Sequence, residues 1–585
     1  MKKSYLLTFI IFLCTFVFQF NCVAQQIDWS DYVDYEEMSN YLEEWTSSHS
    51  DIATLSTIGQ SYEGRELWLV TVTNSETGAH DEKPGLYVQG GIDSDEVTAT
   101  QSAMYLLHNV LNAYGSDETI TKLVDNRTLY ILPNLIPDQS ERYHHSPFRV
   151  RDSSTRPYDN DNDGVKDEDD QDDIDSDGRI LQMRVENQSG RYKQHPDDPR
   201  VLVERISSDK EKDGPFFDLY PTEGIDNDGD GSVNEDPVGG VDPNRNWPAH
   251  WKQEYQQDWS GPYPVSEIEN RNLIEFYFDH PNIATIIDLH TSGNLLYRPS
   301  SVYPDEEMSL QDLNFYNSFG EVYSGITDGP VWTPLARRQA SGGRGVYGGG
   351  IMIDWAYDHF GVFSFAPELW NFPVDEDNVE ITEATESEKI DWAIENLGEE
   401  VWTDWYEADH PDLGTVELGG WNKPMPNNPV GEHVERIASE ITNWMIYMWG
   451  QLPRLELDFE AESLGDNQYK IVATVTNTGF MPTNVTERAI TNETAKPVFI
   501  SAESSGASIL SMSGAEEGTK YDKRGMVLGH IAGWKTSGVS EGTRGKPVTN
   551  SKTVEFTVEK ESDEAEIEIS IHGQRAGNIK QLINL

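Results

Sequence analysis

The stretch that most constrains this chain is a strand-to-helix unit over residues 86–111. Leu86-Tyr87-Val88 is an apolar run of strand length, Gly90-Gly91 ends it, and 97–111 follows as an apolar run of helical length. A strand that feeds directly into a helix builds a parallel or mixed sheet, because the helix must cross back over the sheet face before the next strand. The pattern recurs along the chain. An amphipathic helix is expected over Tyr35–Ser48, strands over 53–58, 66–73, 129–132, 284–289 and 362–366, and a closing helix over 435–449. Together these predict an α/β fold with helices packed on a mixed sheet. Open sheets of this kind place their chemistry in loops at the carboxyl ends of strands. Asp93 and Glu96 stand in such a loop, and two carboxylates there suit a cation.

The flanking regions read differently. Residues 1–24 carry Lys2 and Lys3, an apolar run over 6–20 and the small residues Cys22-Val23-Ala24, the pattern of a signal peptide cleaved before Gln25. Lipidation at Cys22 is the competing reading, disfavoured by the bulky and polar Phe18-Gln19-Phe20-Asn21 before it. The expected location is secreted or periplasmic. Cys14 and Cys22 are the only cysteines. Once the leader is cleaved, disulfides, thiolate metal sites and cysteine nucleophiles are excluded, and any zinc must use His and carboxylate ligands. No later segment is long and apolar enough to be read as a membrane span. The balance of 43 basic against 102 acidic residues, net −59, excludes nucleic acid or an anionic membrane as a partner. The protein is read as a monomer.

Length implies two or more domains. Residues 25–451 are read as the α/β domain. Within it, about 157–238 is an Asp-rich insertion with three related loops. Asp159, Asp161 and Asp163 precede Gly164; Asp173, Asp175 and Asp177 precede Gly178; Asp226, Asp228 and Asp230 precede Gly231. Oxygens at alternate positions with Gly at the sixth are the register of a calcium loop. No flanking helix and no Glu at position twelve accompany them, so they are not complete EF-hands. Calcium binding and an acidic, partly disordered insertion both fit. From 452 to 585 short alternating strands, expected near 454–460, 468–475, 496–502, 554–558 and 565–571, read as a β-sandwich.

Four further pieces carry candidate chemistry. Thr285-Ile286-Ile287-Asp288-Leu289-His290 is an apolar strand ending in a His. Such a His is either structural or a metal ligand. Asp242-Pro243-Asn244-Arg245-Asn246-Trp247 sets Asn beside Arg, a planar fork for a carboxylate; a turn whose Arg pairs with a surface acid is the plainer alternative. Glu368 follows an apolar strand, where burial would raise its pKa and make it a usable general base. Gly345-Val346-Tyr347-Gly348-Gly349-Gly350 is a glycine-rich loop carrying a Tyr, followed by Ile353-Asp354-Trp355.

Taken in order, these pieces resemble the zinc carboxypeptidase family of the carboxypeptidase A type over about residues 30–450. Gly59 to Glu66 and Leu132 to Asp138 also look like that family, and the run 242–247 is the most specific match. The resemblance implies a mixed-sheet carboxypeptidase-like catalytic domain followed by the β-sandwich. It implies one Zn2+ held by Asp93, Glu96 and His290, a substrate-carboxylate clamp of Asn244 and Arg245, Glu368 as general base and Tyr347 as a mobile cap. Arg151, with Arg149 competing, falls on the oxyanion-stabilising position. Ile353 falls on a position lining the side-chain pocket, which implies apolar or aromatic C-terminal residues of peptides or proteins as substrate. The chain departs from the family in the spacing from Tyr347 to Asp354-Trp355, which is one residue short, and at two residues. The family's first ligand is His, and Asp93 stands here, so the site charge falls from +1 to neutral; a neutral site is a weaker Lewis acid. Asp95 replaces a residue that is often Arg. A pseudoenzyme or secreted binding protein that holds peptide or peptidoglycan-stem C-termini is therefore the rival reading, and a hydrolase of a modified amide a third.

Overall fold

The computed structural model describes residues 27–150, 152–342, 348–375, 381, 384–423, 425–514, 525–534 and 549–585. The expected leader, residues 1–24 with Cys14 and Cys22, lies outside these residues. Among them no helix is long and apolar enough to cross a membrane.

The central sheet runs Ala53–Gln60, Glu66–Val72, Thr128–Leu132, Gly85–Gln89, Ile283–Asp288, Phe363–Leu369, Leu295–Tyr297, Val331–Trp332, and a short ninth strand, His290–Thr291, pairs with Phe363–Leu369. The four central strands are mutually parallel, and the flanking strands Glu66–Val72 and Leu295–Tyr297 pair with them antiparallel. This is the expected mixed sheet. Its four central strands are buried on both faces, so they lack a polar side. Period two survives in the core they enter: Leu86, Val88, Leu129 and Ile131 pack on one face with helices Val97–Ala113 and Glu432–Gly450, while Tyr87, Tyr130 and Leu132 pack on the other with Ile268–Asp279.

The Asp-rich insertion contributes strands as well as loops. Gln182–Glu186, Tyr192–Gln194, Leu202–Glu204 and Phe216–Tyr220 join the hairpin Trp402–His410/Gly414–Trp421 in a six-stranded sheet. Arg184, 2% exposed, ties the two parts together. Its Nε donates to Glu417 at 2.9 Å and its guanidinium stacks on Phe217 and Trp405. Local sequence does not announce this sheet, because its insertion strands are only three to five residues long and because a third of the sheet, Trp402–His410 and Gly414–Trp421, lies about two hundred residues away.

Beyond Pro453 two four-stranded antiparallel sheets enclose their own apolar core, as a β-sandwich does. The sandwich docks on the first domain through buried polar contacts. Asp312 accepts the N–H groups of Glu487 and Arg488, and Arg575 Nη1 donates to the Gly361 carbonyl at 2.9 Å.

Candidate active site

Three parallel strands end side by side and deliver the site. After Gly85–Gln89 the chain turns through Gly90 and Gly91. A Cβ at Gly90 would meet Ala99 and Pro133 backbone at 2.7–2.8 Å, and Gly91 has φ +64°. Only glycine fits a turn this close. The turn brings Asp93 to the strand end and leaves Glu96 at the N-cap of helix Val97–Ala113. Glu96 makes no capping bond there; its side chain turns to the site.

His290 follows Ile283–Asp288. Its Nδ1 lies 3.0 Å from Asp93 Oδ2 and 3.0 Å from Glu96 Oε2. One ligand atom from each of the three residues falls within 4.8 Å of the others, and all three residues are buried. On the far side of the ring Nε2 lies 3.1 Å from Asp288 Oδ2. Strand period two puts Asp288 on the same side as His290, so the ring is oriented by the residue two before it.

Glu368 enters by register. His290 pairs directly with Glu368 across the parallel ladder. Burial, then the nearby Asp93 charge working against His290, pushes Glu368 up to about 7. Asn244 and Arg245 come from the turn Pro243–Arg245, whose Asp242 side chain accepts the Asn244 N–H at 2.6 Å. Asn244 Oδ1 accepts the Met352 N–H at 3.0 Å, and its Nδ2 lies 3.4 Å from His290 Nε2. Burial works to lower the Arg245 pKa, but Asp242, Asp93, Asp152 and Glu368 outweigh it and hold the guanidinium charged.

The charges explain one another. Burial pushes Glu96 well above the carboxylate range, helped by Asp93. Burial pushes Asp93 the same way, but His290 outweighs it and the net shift is downward. Burial works to lower His290, and Asp288, Asp93 and Glu96 reverse this strongly. Positive charge is therefore favoured where the three side chains converge.

Ile353 is buried in helix Met352–Trp355, beside Asp354, which accepts both Ser301 N–H and O–H. Arg151 and Tyr347 lie outside the described residues. Arg149, the competing arginine, donates to the Ile180 carbonyl at 3.3 Å and to the Trp421 carbonyl. Its guanidinium is engaged on the insertion side of the site.

The family profile described as zinc carboxypeptidase matches residues 38–386, more than half of the chain. This chain belongs to the zinc carboxypeptidase family. A second profile, a domain of unknown function, matches 454–584. Carboxypeptidase A1 of Sus scrofa is 21% identical over 354 residues, 58% of this chain and 63% of that protein. Carboxypeptidase B of Astacus astacus is 22% identical over 295 residues, 49% of this chain and 70% of that protein. The match thus spans less than two thirds of the carboxypeptidase A1 length. Among solved structures, carboxypeptidase A from Helicoverpa armigera aligns with TM-score 0.39 and 16% identity over 61% of this chain and 69% of that chain. Thrombin activatable fibrinolysis inhibitor aligns with TM-score 0.39 and 18% identity over 59% and 67%.

The ligand set of this zinc carboxypeptidase family member fits the ion the family name implies. Two carboxylates and one imidazole are N/O donors that zinc accepts. Asp93 Oδ1 is buried with no hydrogen-bond partner, an orphaned acceptor of the kind a cation satisfies. Three site residues were not read from the sequence as chemistry. Asp288 orients His290. Asp242 is pushed up to about 7, by burial first and with a contribution from the Asp93 charge, against the opposing pull of Arg245. Asp152 faces Asp95 and is pushed well above the carboxylate range by burial and by Asp95. The Asp288-x-His290 spacing was a usable signal; Asp152 carried none beyond its place next to Arg151.

Proposed function

We propose that this chain is a secreted, zinc-dependent carboxypeptidase that removes single C-terminal residues, apolar or aromatic by preference, from peptides. The observation that carries this is the meeting of Asp93, Glu96, His290 and Glu368 at the ends of adjacent strands, with Arg245 brought to them by the turn Pro243–Arg245. A bound zinc, held by Asp93, Glu96 and His290, would supply Lewis acidity to the scissile carbonyl and lower the pKa of water.

The chain's own residues account for the remaining requirements. Asn244 and Arg245 take the substrate's terminal carboxylate, which sets the register so that only the last peptide bond reaches Glu368. Glu368 accepts a proton from the attacking water as its oxygen bonds to the carbonyl carbon. The same proton passes to the leaving nitrogen as the C–N bond breaks. Arg151 is assigned to the developing oxyanion, a role typically worth about 3 kcal/mol. Tyr347 is assigned to closing the pocket against water. Asp288 keeps His290 Nδ1 turned toward the ligand position by holding Nε2. Ile353 is assigned to the apolar wall that receives the terminal side chain.

The test is hydrolysis of N-blocked dipeptides ending in Phe, Leu, Lys or Glu, each beside its C-terminal amide. Cleavage of the free acids with Phe or Leu favoured is expected. Equal cleavage of the amides would remove the clamp from the mechanism. The neutral ligand set supports one rival, a catalytically weak protein that binds peptide or peptidoglycan-stem C-termini. It predicts product affinity that depends on Arg245 and no turnover in zinc-loaded protein.

A further inference from the structure

The insertion holds a second cluster of acids that the peptidase reading leaves unused. The loops 159–170 and 226–237 are related position by position. Each begins Asp-Asn-Asp and places an Asp at its eleventh position, Asp169 and Asp236. These two Asp residues pair across an isolated antiparallel bridge, so the loops lie side by side in opposite directions. The exchange is reciprocal. Asp169 accepts the Asn227 N–H and Nδ2–H, and Asp236 Oδ1 accepts the Asn160 N–H and Nδ2–H at 3.0 and 2.8 Å.

The symmetry breaks at the second carboxylate oxygen. Asp169 Oδ2 accepts the Asn234 N–H at 2.8 Å. Asp236 is 1% exposed, and its Oδ2 has no hydrogen-bond partner; both Glu168 carboxylate oxygens are likewise buried without one. Carboxylate oxygens of Asp161, Glu168 and Asp236 lie within 4.8 Å of one another. Asp161 also meets Asp228 and Asp230 of the other loop in the same way, and Asp163 meets Glu168 and Asp228. A buried carboxylate that faces another with no donor between them is costly unless a proton or a cation joins them, and the carboxylates of Asp161, Asp163 and Asp228 beside this pair favour the cation. The donors are all oxygen, numerous and carried on loops, which suits the six to eight flexible ligands of Ca2+ better than the strict octahedron of Mg2+.

The position of the cluster gives it a consequence. Asn160 Nδ2 also donates to the Gly239 carbonyl at 2.8 Å, and Asp167 Oδ1 accepts the Gly239 N–H at 3.0 Å. A Cβ at Gly240 would meet Asn160 Oδ1 at 2.2 Å. Loop 159–170 thus grips the backbone immediately before Asp242, Asn244 and Arg245, and loop 226–237 runs straight into it. We propose that loops 159–170 and 226–237 form one shared calcium site with Asp161, Glu168 and Asp236 at its core, and that this ion holds the substrate-carboxylate clamp in position. The third loop is separate, since Asp177 is held by Arg179 and Asp175 by the Tyr406 hydroxyl.

The test uses the full chain, stripped with EGTA and reloaded with zinc. Calorimetric titration with CaCl2 should show saturable binding below 1 mM and much weaker binding of MgCl2. Asp236→Asn and Glu168→Gln should each weaken that calcium affinity at least tenfold, and Asp173→Asn should leave it within twofold. Far-UV circular dichroism and zinc content identify any variant that fails to fold, and the wild-type titration stands without them. Absence of wild-type binding at 1 mM, or unchanged affinity in both folded variants, would overturn the site. The coupling rests on the carboxypeptidase reading: removing calcium should raise KM about tenfold with kcat within twofold, reversed on adding calcium back. Binding without any such change would overturn the coupling alone. If zinc-loaded protein shows no turnover at any calcium level, the peptidase reading fails. Affinity for N-acetyl-phenylalanine then replaces KM as the readout.

Discussion

Two clusters of acids lie within one domain and differ in almost everything but residue type. Asp93 and Glu96 sit at the ends of buried parallel strands, joined by an imidazole and held by sheet register. Asp161, Asp163, Glu168, Asp228 and Asp236 sit on loops held by their own turns, with oxygen as the only donor. Burial and the nitrogen ligand suit the first cluster to a transition metal and to proton transfer by Glu368. Partial exposure and oxygen donors suit the second to a hard cation with a positioning role. A carboxylate's chemistry is set by what surrounds it.

The largest effect expected to separate the two clusters comes from Glu368→Gln. It should lower kcat by about 10³-fold, within the range of general acid–base catalysis, while leaving product affinity intact. Asp236→Asn, measured in parallel with saturating calcium, should leave kcat within twofold. Comparable kcat losses in both would merge the clusters into one functional unit and break the distinction.

Next in size is Asp288→Asn. The amide can no longer hold His290 Nε2–H as a carboxylate does, so zinc affinity should fall 10- to 100-fold in competition with a chelator. An unchanged zinc affinity would mean that His290 is oriented by Asn244 or by packing alone.

Asp93→His tests the charge of the buried site. It raises the ligand set from neutral to +1, and it removes a negative charge that Asp242 and Glu368 both feel. The acid limb of kcat/KM should move down by roughly one pH unit. A fall in activity at every pH would show that the backbone here is shaped for the shorter Asp.

The smallest effect concerns burial alone. Glu269, 1% exposed, is pushed up to about 7, chiefly by burial, although its side chain accepts the Tyr62 N–H. The folded state therefore holds its proton more tightly than the unfolded chain does. Stability should fall as pH rises from about 4.5 to 7 and level off above. Glu269→Gln should remove that slope, with a Tm gain of roughly 2–4 °C at pH 8. A parallel pH dependence in the variant would locate the slope elsewhere, among the remaining buried acids.

Much of the fold was legible because it is written locally. Strand-length apolar runs, the glycine turn after Val88 and the helix beginning at Val97 each follow from a few neighbouring residues, and family membership added the order of the pieces. Asp93, Glu96, His290 and Glu368 were legible because strand ends are where such sheets expose side chains. The six-stranded sheet of the insertion was not, since Gln182–Glu186 pairs with Gly414–Trp421, and a pairing across that distance leaves no local trace in a charged strand. The Asp-rich loops were read individually, while their meeting through Asp169 and Asp236 was invisible.

The sequence by itself determined which residues could carry chemistry: no cysteine after Cys22, His290 at the end of an apolar run, carboxylates in excess. Tertiary structure decided which of those carboxylates act together. Parallel register sets His290 against Glu368, and strand period turns Asp288 onto the same ring. A two-residue bridge brings Glu168 to Asp236 across nearly seventy residues of chain. The physical reason is that ligand sites are defined at a few ångströms in space. Local sequence specifies backbone conformation over a few residues, and only packing of distant elements brings separate side chains within reach of one ion.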